Sequence, residues 1–425
     1  MIAVLFTSFI MFVMINVPIA VAIALASMAA IAAEGNIPYI IVVQQMFTAV
    51  DSFPFMAVPF FILAGFLMEH GGISRRLVDL ANLMVGGTYG GLALVAIVAS
   101  MFFGAISGSA AATVAAIGSI MIPAMVERGY EKDYAAAVQA AAGTLGVMIP
   151  PSIPLVVYGV LTGVSVGALF IGGLLPGIIV GASLMLTAHR LAKKKGGGKG
   201  NDTGLEKRVA PFKEAFFALL MPVIILGGIY GGYFTPTEAA VIAVAYGFLT
   251  GFFIYRELKI ENLESILVKT VVSTAVIMFI IATASVFRWI LASEQVPQAI
   301  ASQILSLTEN PIMILALINI LLLLLGTFLE TTAAIIITAP VFLPVVTQIG
   351  IDPLHFGIIM VVNLAVGMAT PPLGMCLFVG CGIAGVSLER ITMAVLPFIL
   401  IMIVDIAIIT YIPAISTLLP MLAGM

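Results

Sequence analysis

Two pairs of consecutive prolines interrupt long apolar runs, and they restrict the fold of this chain more than any other feature. The first interruption spans 143–152 (GTLGVMIPPS) and the second spans 367–374 (GMATPPLG). Proline lacks an N–H donor and its ring clashes with the preceding turn, so a regular helix cannot continue through either stretch. We therefore predict two helices that are broken near their middle, over 134–163 and 356–386.

The composition places these broken helices in a membrane. Hydrophobic residues make up 62% of the 425 residues and charged residues only 9%, whereas a soluble domain carries about 25% charged residues. We therefore predict an all-α polytopic membrane protein. Broken backbone at membrane depth must be satisfied by protein or by a polar cavity. Paired breaks in two halves of a chain indicate the binding site of a secondary transporter.

An internal repeat relates the two breaks. The offset of 221 residues between Pro150 and Pro371 also aligns further glycines and prolines: Pro123 with Pro344, Gly129 with Gly350, Gly146 with Gly367, Pro151 with Pro372, Gly159 with Gly380, and Pro176 with Pro397. So many coincidences without a gap indicate an ancestral duplication. The predicted repeats are 1–189 and 215–425, joined by a basic cytoplasmic linker at 190–214.

A helical hairpin is predicted before each broken helix, at about 92–125 and about 311–346. The first hairpin turns at Ser107-Gly-Ser109 and the second turns within 326–332 (GTFLETT). Arms of roughly 15 residues reach about 22 Å, which is less than the roughly 30 Å of a bilayer core. Each hairpin is therefore predicted to be re-entrant, entering and leaving the membrane on one side.

The distribution of basic residues sets the orientation. The positive-inside rule places one group in the cytoplasm together, namely Arg75, Arg76, Arg128, Lys132, the 190–214 linker, Arg256, Lys259 and Arg390. The flanks of the second hairpin lack Lys and Arg, so they are predicted to lie outside. The two repeats are then inverted, and both termini are periplasmic in a multi-pass protein of a bacterial inner membrane. The lipid bilayer is a predicted partner and nucleic acid is not. No phosphate-binding loop for ATP is present.

Four motifs in combination resemble the large membrane subunit of tripartite ATP-independent periplasmic (TRAP) transporters, the DctM-like family. They are FGAISGSAAAT at 103–113, the two proline breaks, and TPTEAA at 235–240. The resemblance covers essentially the whole chain and implies an elevator-type ion transporter fold with two inverted repeats. It also implies sodium-driven import of an organic anion such as sialic acid or a C4-dicarboxylate. The implied partners are a small four-helix membrane subunit (DctQ-like) and a periplasmic substrate-binding protein (DctP-like).

Two sodium sites are expected where the hairpin tips meet the breaks, so at least two Na⁺ would be transported. Unwound backbone supplies the oxygen ligands that a hard cation prefers. The candidate ligands of the first site are Ser107, Ser109, Gly146, Ile149 and Pro151. Those of the second site are Gly326, Thr327, Gly367 and Thr370. Alternatively, these small residues only permit tight tips and close helix packing. Glu330 aligns with Ser109 and could contact an ion, pair with a neighbour or face a cavity.

The substrate is expected to contact Arg288 together with Ser107, Ser109, Pro151 and Thr370. No other basic residue lies so far inside an apolar segment as Arg288, and a guanidinium binds a carboxylate through two parallel hydrogen bonds. Alternatively, the arginine reaches the outer interface while Trp289 joins the interfacial aromatic belt. The resemblance favours the substrate contact.

Three other classes of protein remain as alternatives. A standalone sodium/carboxylate symporter of the same superfamily would share every feature above. An intramembrane enzyme would need a catalytic constellation at bilayer depth, which Asp51 and Asp405 alone do not supply, so we predict no enzymatic activity. Broken helices could also build the filter of a channel, but inverted hairpins suit alternating access better.

Overall fold

The computed structural model of the chain describes residues 1–194, 209–308 and 310–425. The described part of the first repeat forms helices α1 to α11: Ile2–Met14, Ile19–Glu34, Ile40–Val50, Ala57–His70, Ile73–Val85, Gly91–Ser107, Ala110–Glu127, Lys132–Gly143, Leu145–Met148, Ile153–Thr162 and Val166–Lys194. The described part of the second forms α12 to α21: Val209–Tyr230, Pro236–Leu249, Ile260–Ser293, Val296–Leu307, Pro311–Phe328, Thr331–Gln348, Pro353–Gly367, Met375–Ala384, Leu388–Tyr411 and Ala414–Leu422.

The all-α polytopic architecture is confirmed. Within the three described ranges, nine helical segments are long and apolar enough to cross a membrane. Proline and short polar side chains mark several helix starts. For example, Thr235 accepts the backbone N–H of Glu238, whose carboxylate accepts the N–H of Thr235 in return, and this capping box starts α13 after a tight turn.

The helix bounds differ from the prediction at several places; the broken helices predicted at 134–163 and 356–386, for example, begin at Lys132 and Pro353. The predicted linker at 190–214 is too wide, because α11 continues to Lys194 and α12 already begins at Val209; good helix formers such as Leu191 and Ala192 extend α11 past the apolar run. Residues 195–208 lie outside the described residues. The hairpin arms have 17 or 18 residues rather than roughly 15, and α21 was not predicted.

From the hairpins to α11 and α20, the two repeats show the same order of the main helices. The offset of 221 residues that relates Pro150 to Pro371 also relates the start of α7, Ala110, to the start of α17, Thr331. The broken helices correspond in the same way, with α8 and α10 matching α18 and α19. Both Pro150–Pro151 and Pro371–Pro372 are cis peptides. The repeat read from glycine and proline positions therefore agrees with the order of the helices.

The repeats exchange helix contacts reciprocally. Helix α7 packs against α19 of the other repeat, and its counterpart α17 packs against α10; likewise α8 contacts α20, and α18 contacts α11. Reciprocal contacts are what an approximate two-fold axis between the repeats requires. We call α6–α11 and α16–α21 the core body.

A second set of helices stands beside the core body. Helix α4 packs against α13 and α14, while α14 also packs against α2 and α3. We call α1–α4 and α12–α14 the frame. The frame meets the core body mainly where α4 contacts α6 and α10 and where α14 contacts α17. Helices α5 and α15 link the frame to the two hairpins in sequence, so each hairpin is connected to the frame through one linking helix.

Candidate functional site

The first break has extended backbone between two short helices. Helix α9 ends at Met148, and α10 begins only after Ser152. The hydroxyl of Ser152 donates to the carbonyl of Val147 at 2.6 Å and accepts the N–H of Leu155 at 3.4 Å. Ser152 therefore caps the new helix and ties it back to the old one, which fixes the geometry of the prolines between them.

The tip of the first hairpin lies directly on this break. Gly108 has a positive φ of 60°, and a Cβ there would lie 3.1 Å from the Pro151 carbonyl oxygen. A Cβ on Gly104 would lie 2.8 Å from the Cα of Gly146, and a Cβ on Gly146 would lie 2.6 Å from the Ser109 carbonyl oxygen. The two backbones touch, which only glycine permits. The structure therefore brings the hairpin tip, with Ser109, against Gly146 and Pro151 of the break; the contacts do not include Ile149, the other predicted ligand from the break.

Hydroxyl oxygens surround this contact. Thr113 Oγ1 donates to the Ser109 carbonyl at 2.8 Å and lies 3.1 Å from Ser107 Oγ. The side chain of Ser109 caps α7 by accepting the N–H of Ala112 at 3.4 Å. Sequence reasoning did not select Thr113 as a site residue. Its spacing of four residues from Ser109 puts both on one face of a helix, and this signal could have found it.

The second tip meets the second break in the same way. A Cβ on Gly367 would lie 2.6 Å from the Cα of Gly326. The hydroxyls of Thr327 and Thr370 donate to the carbonyls of Leu324 and Val366 at 2.7 and 2.8 Å. Each hydroxyl has one proton and two lone pairs. Because the proton is used within the helix, the oxygen keeps lone pairs that can face a cation.

Glu330 caps the second arm of the second hairpin. Its carboxylate accepts the N–H groups of Thr332 and Ala333 at 2.8 and 3.2 Å, and the hydroxyl of Thr332 at 3.0 Å. Ser109 caps α7 at the corresponding position of the first repeat. Of the three interpretations left open by the sequence, the structure shows the pairing with neighbours, and it also places Glu330 at a cavity.

That cavity, which we call the tip pocket, is an open space of about 580 Å³ between the frame and the hairpins. The first tip contributes Ser107, Gly108 and Ser109, and the frame contributes Glu69 and Ser273. Glu330 and Thr332 of the second hairpin also line it. The lining therefore contains two carboxylates and, among the described residues, no basic side chain.

A second cavity of about 540 Å³ surrounds Arg288, and we call it the arginine pocket. Its polar lining comes from Thr48, Ser52 and Ser285, and Val160 and Ile336 form part of its apolar wall. Arg288 is half-buried. No hydrogen bond or ion pair joins its guanidinium to residues 1–194, 209–308 or 310–425. The arginine pocket therefore presents a partly buried positive charge that has no counter-ion in the part of the chain that the structure describes.

The two pockets follow one another along the same helices. Helix α14 lines the tip pocket with Ser273 and the arginine pocket with Arg288. These two residues are separated by roughly 22 Å of helical rise. The structure thus does not bring Arg288 into the pocket of Ser107 and Ser109. Pro151 and Thr370, the other predicted substrate contacts, are not among the described lining residues of either pocket.

Comparison with known proteins identifies one family. The sequence matches the family model described as "Tripartite ATP-independent periplasmic transporter, DctM component" over residues 6–415. Among solved structures, the transporter YdaH of Alcanivorax borkumensis is similar with a TM-score of 0.60 at 16% sequence identity, covering 90% of this chain and 87% of that one. At this identity the likeness concerns the fold.

Several curated relatives are similar over most of the chain. The isethionate TRAP transporter permease protein DctMQ of Oleidesulfovibrio alaskensis is 50% identical over 97% of this chain, which spans 65% of that relative. The C4-dicarboxylate TRAP transporter large permease protein DctM of Pseudomonas aeruginosa is 45% identical, covering 90% of this chain and 89% of the relative. The sialic acid TRAP transporter large permease protein SiaM of Vibrio cholerae is 40% identical, with 89% and 88% covered.

Proposed function

The chain belongs to the DctM family of tripartite ATP-independent periplasmic transporters, and on that premise we propose that it is the large membrane subunit of a sodium-coupled importer of an organic anion. The family is one of transporter permeases rather than enzymes. The observation that carries the proposal is that, in each repeat, the hairpin tip and the broken helix approach so closely that only glycine fits at the contact. A sialic acid, a C4-dicarboxylate or isethionate is the class of cargo that the names of the relatives support.

Each tip contact would bind one sodium ion as co-transported cargo. The first ion would be held by carbonyl and hydroxyl oxygens of Ser107, Ser109, Gly146, Ile149 and Pro151. The second would be held by those of Gly326, Thr327, Gly367 and Thr370. Neutral oxygens suit Na⁺ because they replace its hydration without burying a fixed negative charge. The free lone pairs at Thr327 and Thr370 support this assignment.

We propose that the core body moves along the frame in an elevator mechanism, carrying cargo between the two pockets. Glu69 and Ser273 line the tip pocket, and Ser273 lies in the half of α14 that carries Lys269 and that the charge rule places toward the cytoplasm. In this conformation the hairpin tips therefore face inward. Arg288 lies toward the other end of α14 and would meet the anion from outside. The two carboxylates of the tip pocket would favour release of an anion.

The proposed setting is a bacterial inner membrane, with both termini periplasmic. The proposed partners are a small four-helix membrane subunit and a periplasmic protein that delivers the substrate. An open groove supports this orientation because one set of residues lines it together, namely Ser52–Pro54, Gly163–Gly167, Phe234–Thr237 and Met425. All of these segments belong to the side that the charge rule places outside.

Uptake by proteoliposomes tests the proposed function. Vesicles contain this chain with its small partner, and radiolabelled candidate anions are added with a periplasmic binding protein. We expect uptake to require an inward Na⁺ gradient and to be unaffected by ATP. Equal uptake with K⁺ on both sides and no proton gradient would rule out sodium coupling. Full uptake without the small partner and the binding protein would instead identify a standalone symporter.

A further inference from the structure

A pair of amides, one buried and one half-buried, joins the second hairpin to the second broken helix. Asn363 on α18 is 1% exposed, and its Nδ2 donates to Oδ1 of Asn319 on α16 at 3.0 Å and to the carbonyl of Ile359 at 2.8 Å. Asn319 in turn donates from Nδ2 to Oγ1 of Thr410 on α20 at 3.0 Å. The pair therefore fixes α18 directly to the first arm of the hairpin and indirectly to α20.

The amides lie within an otherwise apolar interface. Their buried neighbours along α16 and α18 are Ile318, Leu322, Ile359 and Met360. Contacts between aliphatic side chains have no direction, so they stabilise several helix registers to a similar degree. A buried amide pair has directional hydrogen bonds and loses them in any other register; fixing the register is the best-attested use of such groups. The pair therefore determines how α16 and α18 are aligned.

That alignment decides the geometry of the second break. Gly367 follows Asn363 by one helical turn, and Gly326 follows Asn319 by about two turns. The backbones of these two glycines touch, since a Cβ on Gly367 would lie 2.6 Å from the Cα of Gly326. The N–H of Gly374 also donates to the Thr327 carbonyl at 3.0 Å. Small shifts of α18 along α16 would therefore move the candidate ion ligands.

The first repeat also has a buried amide that joins its broken helix to its hairpin, but at a different sequence position. Gln139 on α8 is fully buried and donates from Nε2 to Oγ of Ser100 on α6 at 3.1 Å and to the Thr113 carbonyl on α7 at 3.5 Å. The repeat offset would pair Gln139 with Met360, not with Asn363. A buried amide thus joins the broken helix to its hairpin in both repeats without being inherited from one ancestral residue.

We propose that Asn319 and Asn363 are positioning residues for the second sodium site. Their hydrogen bond holds the hairpin and the broken helix in the one register that aims the backbone and hydroxyl oxygens of Thr327, Gly367 and Thr370 at one ion. The inference rests on the proposed function, because it assigns these amides to the sodium step of the same transport cycle. Neither amide is among the candidate ligands, so they would act on sodium affinity through the backbone.

A set of leucine substitutions separates positioning from simple stabilisation. Asn319→Leu and Asn363→Leu each remove the hydrogen bond between the two amides. The remaining amide keeps only its bond to Ile359 or to Thr410, so each variant should have a lower thermal unfolding temperature. The double variant removes both polar groups and should recover much of that temperature. Its half-saturating Na⁺ concentration for uptake should nevertheless stay raised by roughly threefold to tenfold, which corresponds to one net hydrogen bond. The substrate KM at saturating Na⁺ should change little.

Tyr411→Phe is the matched control. Its hydroxyl donates to the carbonyl of Ile312 at 3.0 Å and so joins α20 to α16 far from the break. The control should keep wild-type sodium dependence. If the double variant regains both its stability and the wild-type half-saturating Na⁺ concentration, the amides are only structural and the proposal is overturned. A sodium dependence that is unchanged in both single variants also overturns it.

Hydrogen–deuterium exchange tests the register without transport. The N–H groups of Gly374 and Cys376, which bond to the carbonyls of Thr327 and Met368, should exchange faster in the double variant than in wild type. Unchanged exchange overturns the positioning role whatever the uptake shows. If wild-type uptake proves independent of Na⁺ while exchange is faster in the double variant, the proposed sodium coupling is wrong. The role of the two amides in fixing the helix register is then still supported.

Discussion

Arg288 and Glu330 are charged residues at membrane depth with opposite surroundings. The Glu330 carboxylate accepts three hydrogen bonds from its own helix N-terminus, where the helix dipole also favours negative charge. Arg288 lacks a partner in the described part of the chain, although an uncompensated ionised group at this depth is costly. Glu330 is therefore stabilised by its own helix, and the lack of a partner at Arg288 agrees with the proposal that this arginine binds the anionic cargo.

Replacement of Arg288 tests that assignment. Arg288→Lys should weaken uptake roughly tenfold to a hundredfold, because lysine keeps the charge but loses the planar pair of donors. Arg288→Glu should abolish uptake, since like charges would meet in a partly dry pocket. Initial rates are measured over a range of substrate concentrations at matched amounts of assembled protein. Normal uptake by the glutamate variant would rule out a contact between Arg288 and the substrate carboxylate. Normal uptake by the lysine variant would indicate instead that Arg288 anchors its helix at the membrane interface.

Asp405 presents a different case, because its carboxylate accepts a hydrogen bond from the Ser183 hydroxyl between α20 and α11. Asp405→Asn keeps a carbonyl acceptor at the same place and should leave uptake and thermal stability close to wild type. Asp405→Leu should lower stability by leaving Ser183 without this acceptor. Ser183→Ala is the control for the hydroxyl. Loss of uptake in a normally assembled Asp405→Asn protein would contradict this structural role and show that ionisation of Asp405 is needed.

The hairpin tips and breaks are the elements on which the site depends. Their positions could be predicted because two consecutive prolines, at 150–151 and 371–372, interrupt a helix locally, whereas single prolines such as Pro123 and Pro344 lie inside helices of the structure. The Thr113 hydroxyl, the amide bond from Asn363 to Asn319 and the separation of the two pockets depend on packing between distant segments, which local patterns do not encode. The ends of the linker were missed because exposed helix formers extend helices beyond the apolar run.

A glycine substitution tests the tip contact directly. Gly367→Ala should abolish sodium-dependent uptake, because its Cβ would lie 2.6 Å from the Gly326 backbone and 2.8 Å from the Leu323 carbonyl oxygen. Gly382→Ala is the matched control, since a Cβ there meets nothing within 4 Å and alanine favours a helix. Uptake and unfolding temperature are compared for both variants. An active Gly367→Ala transporter would show that the close approach is not required.

The whole molecule consists of a core body and a frame with two pockets along their contact. The family and the helical repeats could be predicted from sequence, whereas the position of the core body along the frame could not. That position depends on packing between distant segments, and only the tertiary structure shows that the hairpin tips line the pocket with Glu69 and not the one with Arg288.

The orientation in the membrane is tested by cysteine labelling in intact spheroplasts. Tyr233 is 80% exposed in the turn between α12 and α13, and Ile260 is 71% exposed at the start of α14. In a variant without Cys376 and Cys381, Tyr233→Cys should react with a membrane-impermeant thiol reagent. Ile260→Cys should react only after the membrane is permeabilised. The reverse pattern would place the arginine pocket on the cytoplasmic side and invalidate the proposed direction of transport.

Disulfide trapping between frame and core body is the most direct measurement of the central claim, which is that one body carries cargo between two pockets. Ala112 and Ser273 both line the tip pocket, whereas Ser285 lines the arginine pocket. In the variant without native cysteines, the pairs Ala112→Cys/Ser273→Cys and Ala112→Cys/Ser285→Cys should both cross-link in transporting vesicles. Each cross-link should stop uptake reversibly, and Na⁺ with substrate should change their ratio. Normal uptake with no cross-link between positions 112 and 285 under any condition would contradict the elevator account.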